Sequence, residues 1–319
     1  IWIEGEEFYC VVASRSNDGS GQILMYKSNN LKEWEFVAIV DNSKNKVGRM
    51  WECPDLFSLN GKDVLIISPQ EVKATKDGFH NGNNTAYLIE KYDNEKNSFE
   101  RESCNVIDFG LDFYAPQTLE SIDGRRIMIG WMQSWENRIV PANFKWCGMM
   151  TIPRELTIKE GCLIQNPIRE IENYYKNTVE YNNLIIKDEV SLDGIFGREL
   201  DITIDIDGSQ AEEFKIKLAK NNEYETIINF NSKKNIIEFD RTYSGIYGDI
   251  LHKREMKVSD KKGKVKMRLI IDKYSVEIFA NDGEQVMTST FYTPLEATDI
   301  TSASEGNSII NIKKHDIEV

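Results

Sequence analysis

Leu200, Ile202, Ile204 and Ile206 alternate without a break with Asp201, Thr203, Asp205 and Asp207. A period of two sends the two sets to opposite faces of a strand, so the pattern fits a sheet with one face buried and one face wet. Phe214, Ile216 and Leu218 repeat it against Lys215 and Lys217, and Val265, Met267, Leu269 and Ile271 repeat it again before Val276, Ile278 and Ala280. Asp207-Gly208 and Asn281-Asp282-Gly283 tolerate positive φ and are expected to close hairpins. With almost no helical period beside them, these strands read as a β-sandwich over residues 179–319.

The chain before them has a different texture. All six tryptophans (Trp2, Trp34, Trp51, Trp131, Trp135 and Trp146) and six of the seven prolines lie at or before Pro167. Three units of short apolar runs follow one another. The first has runs at 8–13, 23–26 and 34–40, and the second at 56–59, 64–67, 86–89 and 106–107. The third has runs at 127–132, 147–152 and 162–164. Sheets of about four strands recurring every ~50 residues suggest propeller blades, because one such sheet cannot bury both faces alone. Three blades do not close a ring, which takes at least about four. The expected organisation is therefore all-β: a partial propeller over 1–166, a linker over 167–178 and the sandwich. Ile168, Ile171 and Tyr175 fall at roughly helical spacing within that linker.

Composition excludes several functions. A net charge of −13 and a pI near 4.9 oppose binding to phosphate backbones, so no nucleic-acid partner is expected. No run approaches the ~18 apolar residues of a membrane span. Five scattered cysteines, an odd number, do not form a disulfide framework and favour a reducing, cytoplasmic setting. No leader sequence is visible, although the abrupt Ile1-Trp2-Ile3 suggests that the natural N-terminus lies further upstream. His80, His252 and His315 are too far apart for a metal site, no cysteine pair has the C-x-x-C form, and no phosphate-binding glycine motif occurs. No metal and no cofactor are expected.

Three clusters carry possible chemistry. Trp51-Glu52-Cys53-Pro54-Asp55 packs two carboxylates, an indole and a thiol into the start of a blade. Pro54 cannot feed a ladder hydrogen bond there, and Glu52, beside Trp51 and Cys53, is partly desolvated and suited to donating a proton. The plainer reading is a turn-capping glutamate or one paired with Arg49. Asp108-Phe109-Gly110-Leu111-Asp112-Phe113-Tyr114-Ala115-Pro116-Gln117 repeats the grouping of acid, aromatic and proline. It offers what a sugar ring needs: a flat apolar face and acceptors for hydroxyl protons. A core tyrosine and phenylalanine with turn aspartates is the favoured reading on the residues alone. Gly130-Trp131-Met132-Gln133-Ser134-Trp135 is open in the same way, between a buried indole and a stacking platform.

Taken together, Trp-Glu-Cys-Pro-Asp at 51–55, Asp-Phe-Tyr-Ala-Pro-Gln at 112–117, Gly-Trp-Met at 130–132 and Pro-Arg-Glu-Leu at 153–156 resemble glycoside hydrolase family 32. The likeness runs on through Gln165-Asn166-Pro167, Asp240-Arg241, the segment 272–279 and Asn281-Asp282-Gly283, and so covers essentially the whole chain. That family contains invertases, sucrose-6-phosphate hydrolases, inulinases and levanases. The resemblance implies a five-bladed propeller followed by a sandwich, of which about three blades lie in this chain. It also implies a double displacement at a terminal fructosyl unit, in which an aspartate attacks and a glutamate first protonates the leaving oxygen and then activates water. The family's glutamate matches Glu52. Cys53 is placed to influence it, with Trp51 and Asp55 as further support. Asp108, Tyr114 and Trp131 would shape the fructosyl pocket.

The resemblance also predicts what is not found. The family's nucleophile sits in a Trp-Met-Asn-Asp-Pro-Asn motif and a second aspartate in Arg-Asp-Pro, and neither sequence occurs here. Truncation of the chain is the expected reason, which would leave it by itself incompetent. The expected substrate is a small carbohydrate (sucrose 6-phosphate first, then sucrose or a fructan). Competing expectations are a non-catalytic sugar-binding module, and a propeller glycosidase acting on arabinan or xylan, which the sandwich segments disfavour.

Overall fold

In a computed structural model of the chain, which describes residues 1–76, 78–93, 98–135, 139–141 and 144–319, strands dominate. The first sheet holds β1 (Trp2–Glu4), β2 (Glu7–Arg15), β3 (Gly21–Ser28) and β4 (Glu35–Asn42) in sequence order. The second holds β5 (Met50–Leu59), β6 (Lys62–Gln70), β7 (Ala86–Asp93) and β8 (Ser98–Val106). The third holds β9 (Tyr114–Glu120), β10 (Arg126–Trp131), β11 (Arg154–Lys159) and β12 (Cys162–Pro167). Each is a four-stranded meander whose neighbours in sequence are neighbours in space, as the three units of apolar runs require. The run at 147–152 departs from expectation. Only Met150 bridges to Trp131, and the strand begins at Arg154. Gly148 at φ +83°, closed in by the Trp131 indole, breaks the extended chain there.

Arg169–Tyr174 forms a single 3₁₀ segment with Ile171 buried, so the loosely helical spacing of the linker is realised as a tight turn. The later strands are β13 (Tyr175–Ile186), β14 (Val190–Phe196), β15 (Leu200–Lys220), β16 (Glu225–Asn231), β17 (Ile236–Tyr243) and β18 (Lys253–Lys257). They are followed by β19 (Lys264–Asp272), β20 (Ser275–Ala280), β21 (Gln285–Thr290) and β22 (Asp299–Ile317).

The two long strands organise this region. The first half of β15, Leu200–Asp207, pairs with β19 on one edge and with the end of β22 on the other. Its second half, from Glu213, pairs with β16 and with the beginning of β22. The register breaks at 207–213, where the strand turns the corner between two layers. Asp207-Gly208, expected as a hairpin turn, is therefore an internal bend of one continuous strand. The opposing bend in β22 needs Gly306, at φ +101°, where a Cβ would stand 2.7 Å from the Gln210 carbonyl oxygen. Asn281-Asp282-Gly283 does close a hairpin, between β20 and β21.

Between the two layers, Ile202, Ile204, Phe214, Ile216, Phe230 and Met267 share one buried core with the inward residues of the flanking strands. Burying a side chain of this size stabilises by roughly 1.5–3 kcal/mol. The alternation in the sequence is thus the alternation between this core and the outer face of the layer, where Asp205 is exposed and Asp201 is covered by its neighbours.

Two compact units emerge. One comprises Ile1–Ile107, Tyr114–Gly130 and Thr157–Leu163, and the other Asp108–Phe113, Trp131–Leu156 and Ile164–Val319. In the first, Trp51, Val64–Ile67 and Ala86–Leu88 are buried.

Candidate active site in the first unit

Glu52 lies where β5 is irregular. It pairs with Ser68, whereas Asp55 pairs with Ile66, so one extra residue is inserted between them. Cys53 takes up that residue at φ 49°. A left-handed residue directly before proline is uncomfortable, and such bulges re-aim the neighbouring side chain. Pro54 costs no ladder bond at this position. The same device recurs one sheet later, where Ala115 at φ 51° precedes Pro116 and follows Tyr114. Glu52-Cys53-Pro54 and Tyr114-Ala115-Pro116 are thus equivalent kinks on β5 and β9.

The two kinks bring their side chains together. The Tyr114 hydroxyl donates to Glu52 Oε2 at 2.9 Å and lies 3.1 Å from the Ser68 carbonyl oxygen. Gln70 Nε2 donates to the same Oε2 at 2.9 Å. Glu52 Oε1 has no hydrogen-bond partner among the described residues and is left to carry or accept a proton. Arg49, the possible ion-pair partner, faces Glu71 instead, at 3.9 Å, and Arg15 joins Glu71 at 3.5 Å. Neutral donors therefore hold Glu52, which is only partly buried.

Both hydroxyl and thiol beside this carboxyl keep their protons. Burial, then the charge of Glu52 and its hydrogen bond, push the Tyr114 phenol far above its usual range. Burial and the nearby Glu52 likewise push the Cys53 thiol up. The remaining support is mechanical. Trp51 is wholly buried, donates its indole N–H to the Val47 carbonyl oxygen at 2.7 Å and lies beneath the Arg101 guanidinium. Asp55 Oδ2 accepts from the backbone N–H and the hydroxyl of Thr118, both at 2.7 Å. Gln117 Nε2 donates to the Cys53 carbonyl oxygen at 3.2 Å. These bonds fix β9 against β5, and with it the spacing of Tyr114 and Glu52.

The first unit thus gathers Glu52, Tyr114, Trp51, Cys53 and Asp55. Asp108 and Trp131 belong to the second unit. The Asp108 side chain has no exposed surface, and both its oxygens are engaged. Oδ1 accepts from the Gly110 and Thr288 N–H groups at 2.8 and 2.9 Å. Oδ2 accepts from the Thr288 hydroxyl at 2.6 Å and from Arg154 at 3.0 Å. Arg154 in turn holds Glu277 at 2.6 Å. A carboxylate so occupied ties segment 108–113 to β21. Trp131 is half-buried, meets Trp135 edge-on at 5.5 Å and abuts Gly148. Gln70 and Ser68 were not singled out from the sequence. Locating them requires the β5–β6 register, and the bulge at Cys53 conceals it. Among the described residues no group of three or more His, Cys, Asp or Glu side chains is arranged to hold a metal.

Comparison with known proteins agrees with the motifs. The N-terminal domain of glycosyl hydrolases family 32 matches residues 1–167, and the family's C-terminal domain matches residues 170–318. The chain is 32% identical over 319 residues to a sucrose-6-phosphate hydrolase of Staphylococcus xylosus, covering 100% of this chain and 65% of that protein. Among solved structures it resembles the sucrose-6-phosphate hydrolase of Lactobacillus gasseri, with a TM-score of 0.84 and 25% identity. It resembles equally the β-fructofuranosidase of Bombyx mori, with a TM-score of 0.82 and 26% identity. Each of these two superpositions covers 99% of this chain and 64% of the other. The chain therefore spans about two-thirds of the length of the proteins it matches. With family matches over residues 1–167 and 170–318 and the Glu-Cys-Pro kink in place, the chain belongs to glycosyl hydrolases family 32.

Proposed function

We propose that this chain is part of a retaining β-fructofuranosidase that cleaves terminal fructosyl units, with sucrose 6-phosphate as its first substrate and Glu52 as its general acid/base. The observation that carries the reading is the state of Glu52. Two neutral donors fix Oε2 at 2.9 Å each, while Oε1 remains uncommitted. That is the arrangement needed by a carboxyl that must donate a proton to a leaving oxygen and later take one from water. The similarity to sucrose-6-phosphate hydrolases supports the choice of substrate. The five unpaired thiols fit a cytoplasmic setting.

On this reading the three four-stranded sheets are blades of a five-bladed propeller, residues 1–166 its catalytic domain and residues 179–319 a sandwich joined by the linker 167–178. The nucleophilic and charge-stabilising aspartates come from outside these 319 residues, and the chain alone turns over no sucrose. Tyr114 positions Glu52, and Trp131 offers its half-exposed indole as a sugar-facing wall.

The test is Glu52→Gln in a protein that carries the whole family sequence. Hydrolysis of sucrose 6-phosphate is expected to fall by at least ~100-fold, the usual scale for a lost general acid. Added azide should restore turnover of a substrate with a good leaving group by attacking the fructosyl-enzyme in place of activated water. Near-wild-type hydrolysis in the variant would show that another group supplies the proton.

A further inference from the structure

The sandwich carries a polar groove that the chemistry at Glu52 does not use. It lies on the outer face of the layer formed by β19, β15, β22 and β13. The register sets its rows: Thr203 of β15 stands between Lys313 of β22 and Arg268 of β19, and Asp205 stands between Asn311 and Lys266. Two cavities of about 410 and 470 Å³ open along this face and share Lys266. Each falls within the ~300–1,000 Å³ usual for small-molecule sites.

The first cavity is built, not merely left over. Asp201 and Phe279, both buried, lie among its lining residues. Asp201 holds Arg268 through Nε and Nη2 at 2.6–3.1 Å and accepts from the Tyr175 hydroxyl at 2.5 Å. Arg268 Nη1 is left uncommitted among the described residues. Tyr175 stacks on His315 with ring centroids 4.0 Å apart and planes 8° apart, giving the cavity a flat wall. Nδ1 of His315 is tied to Thr178 at 2.8 Å.

Charge decides the class of ligand. Arg268 faces Asp201 at 2.6 Å, Lys266 faces Asp282 at 2.6 Å and Lys313 faces Glu180 at 4.0 Å. Every cation thus has its own carboxylate, so an anion would have to compete with fixed negative charges. A neutral polyhydroxyl compound gains from both signs, since each hydroxyl donates to a carboxylate or amide oxygen and accepts from an ammonium or guanidinium. We propose that this face is a second carbohydrate site, taking a short neutral oligosaccharide along β15 against Arg268 and the Tyr175–His315 wall. The choice of a fructosyl sugar rests on the function proposed above, whereas the site itself does not.

The chain has three histidines, so the His315 ring resonances can be resolved by NMR. Titration of the 319-residue chain with nystose is expected to shift them in a saturable way, while inorganic phosphate leaves them in place. Thr203→Trp, which fills the groove, should weaken that binding by at least ~10-fold with an unchanged thermal melt, a tenfold change being well within reach of such measurements. If that variant fails to fold, Lys266→Ala with Asp282→Ala removes one matched pair and should weaken binding in the same direction. An unmoved His315 with nystose, or a saturable shift with phosphate alone, overturns the proposal. Glu52→Gln should leave the titration unaltered, so the outcome here is separate from the outcome of the hydrolysis test.

Discussion

Glu90 of β7 is only 1% exposed, and among the described residues no group donates to either of its carboxyl oxygens. Arg101 stands opposite it in the β7–β8 register but spends its donors elsewhere. Its Nε donates to Asp41 at 2.6 Å and its Nη2 to the Asn42 carbonyl oxygen at 3.0 Å. Burial first, and the Asp41 carboxylate second, push the Glu90 carboxyl up to about 9 from an ordinary 4.5. The unfolded chain releases this proton near the ordinary value and the folded chain much later. Between the two the folded state holds one proton more, so stability is complete at the acid end and declines as pH rises, by at most ~1.4 kcal/mol per unit. By pH 7 the loss reaches at most ~3.5 kcal/mol, or roughly 7–14 °C in melting temperature for a domain of this size. Glu90→Gln keeps the shape, cannot ionise and can donate to Asp41. Wild type and variant should therefore melt together near pH 4.5 and draw apart steadily towards pH 9, the variant being the more stable. Thermal melts followed by circular dichroism across that range provide the measurement. A constant difference between the two proteins at every pH would mean that Glu90 holds no proton in the folded state, and the reasoning would fail.

Tyr114→Phe removes one donor to Glu52 while the ring keeps its place. In a protein carrying the whole family sequence kcat should fall by roughly 10–100-fold with little change in KM, as for a lost hydrogen bond of about 1.5–3 kcal/mol to a charged group. Equal losses in binding and turnover would argue against a positioning role. Gly110→Ala would place a methyl carbon 1.8 Å from the Thr288 carbonyl oxygen, so backbone must move. A destabilisation of more than ~2 kcal/mol is expected in urea unfolding, and a neutral result would mean that segment 108–113 does not lie against β21 in solution.

Much of the fold is written locally. The alternation from Leu200 onward, the turn residues and the proline of the Glu-Cys-Pro motif each act within a few neighbours, and the strands follow them. Three features escaped because their causes are distant. Asp207-Gly208 has the chemistry of a hairpin turn, but β22 runs beside it on both sides of the bend and keeps the strand continuous. Asp108 looks like a sugar ligand in its own segment. The partners that bury it, Arg154 and Thr288, lie 46 and 180 residues away. Gln70 gives no local sign of contact with Glu52, since a one-residue slip at Cys53 shifts which side chains face each other. Trp131 could be read either as a platform or as core, and its half-burial against Trp135 follows from packing that no local pattern marks.

The 21 residues of β15 and the 19 of β22 belong to both layers of the sandwich at once. Most two-layer domains can loosen along the plane between their sheets, because only side chains cross it. Here two covalent backbones cross it side by side, bonded to each other through the bend at Gly306. Peeling either layer away would tear the same ladder that holds the other, so the amides of both should exchange with solvent together, at the free energy of global unfolding.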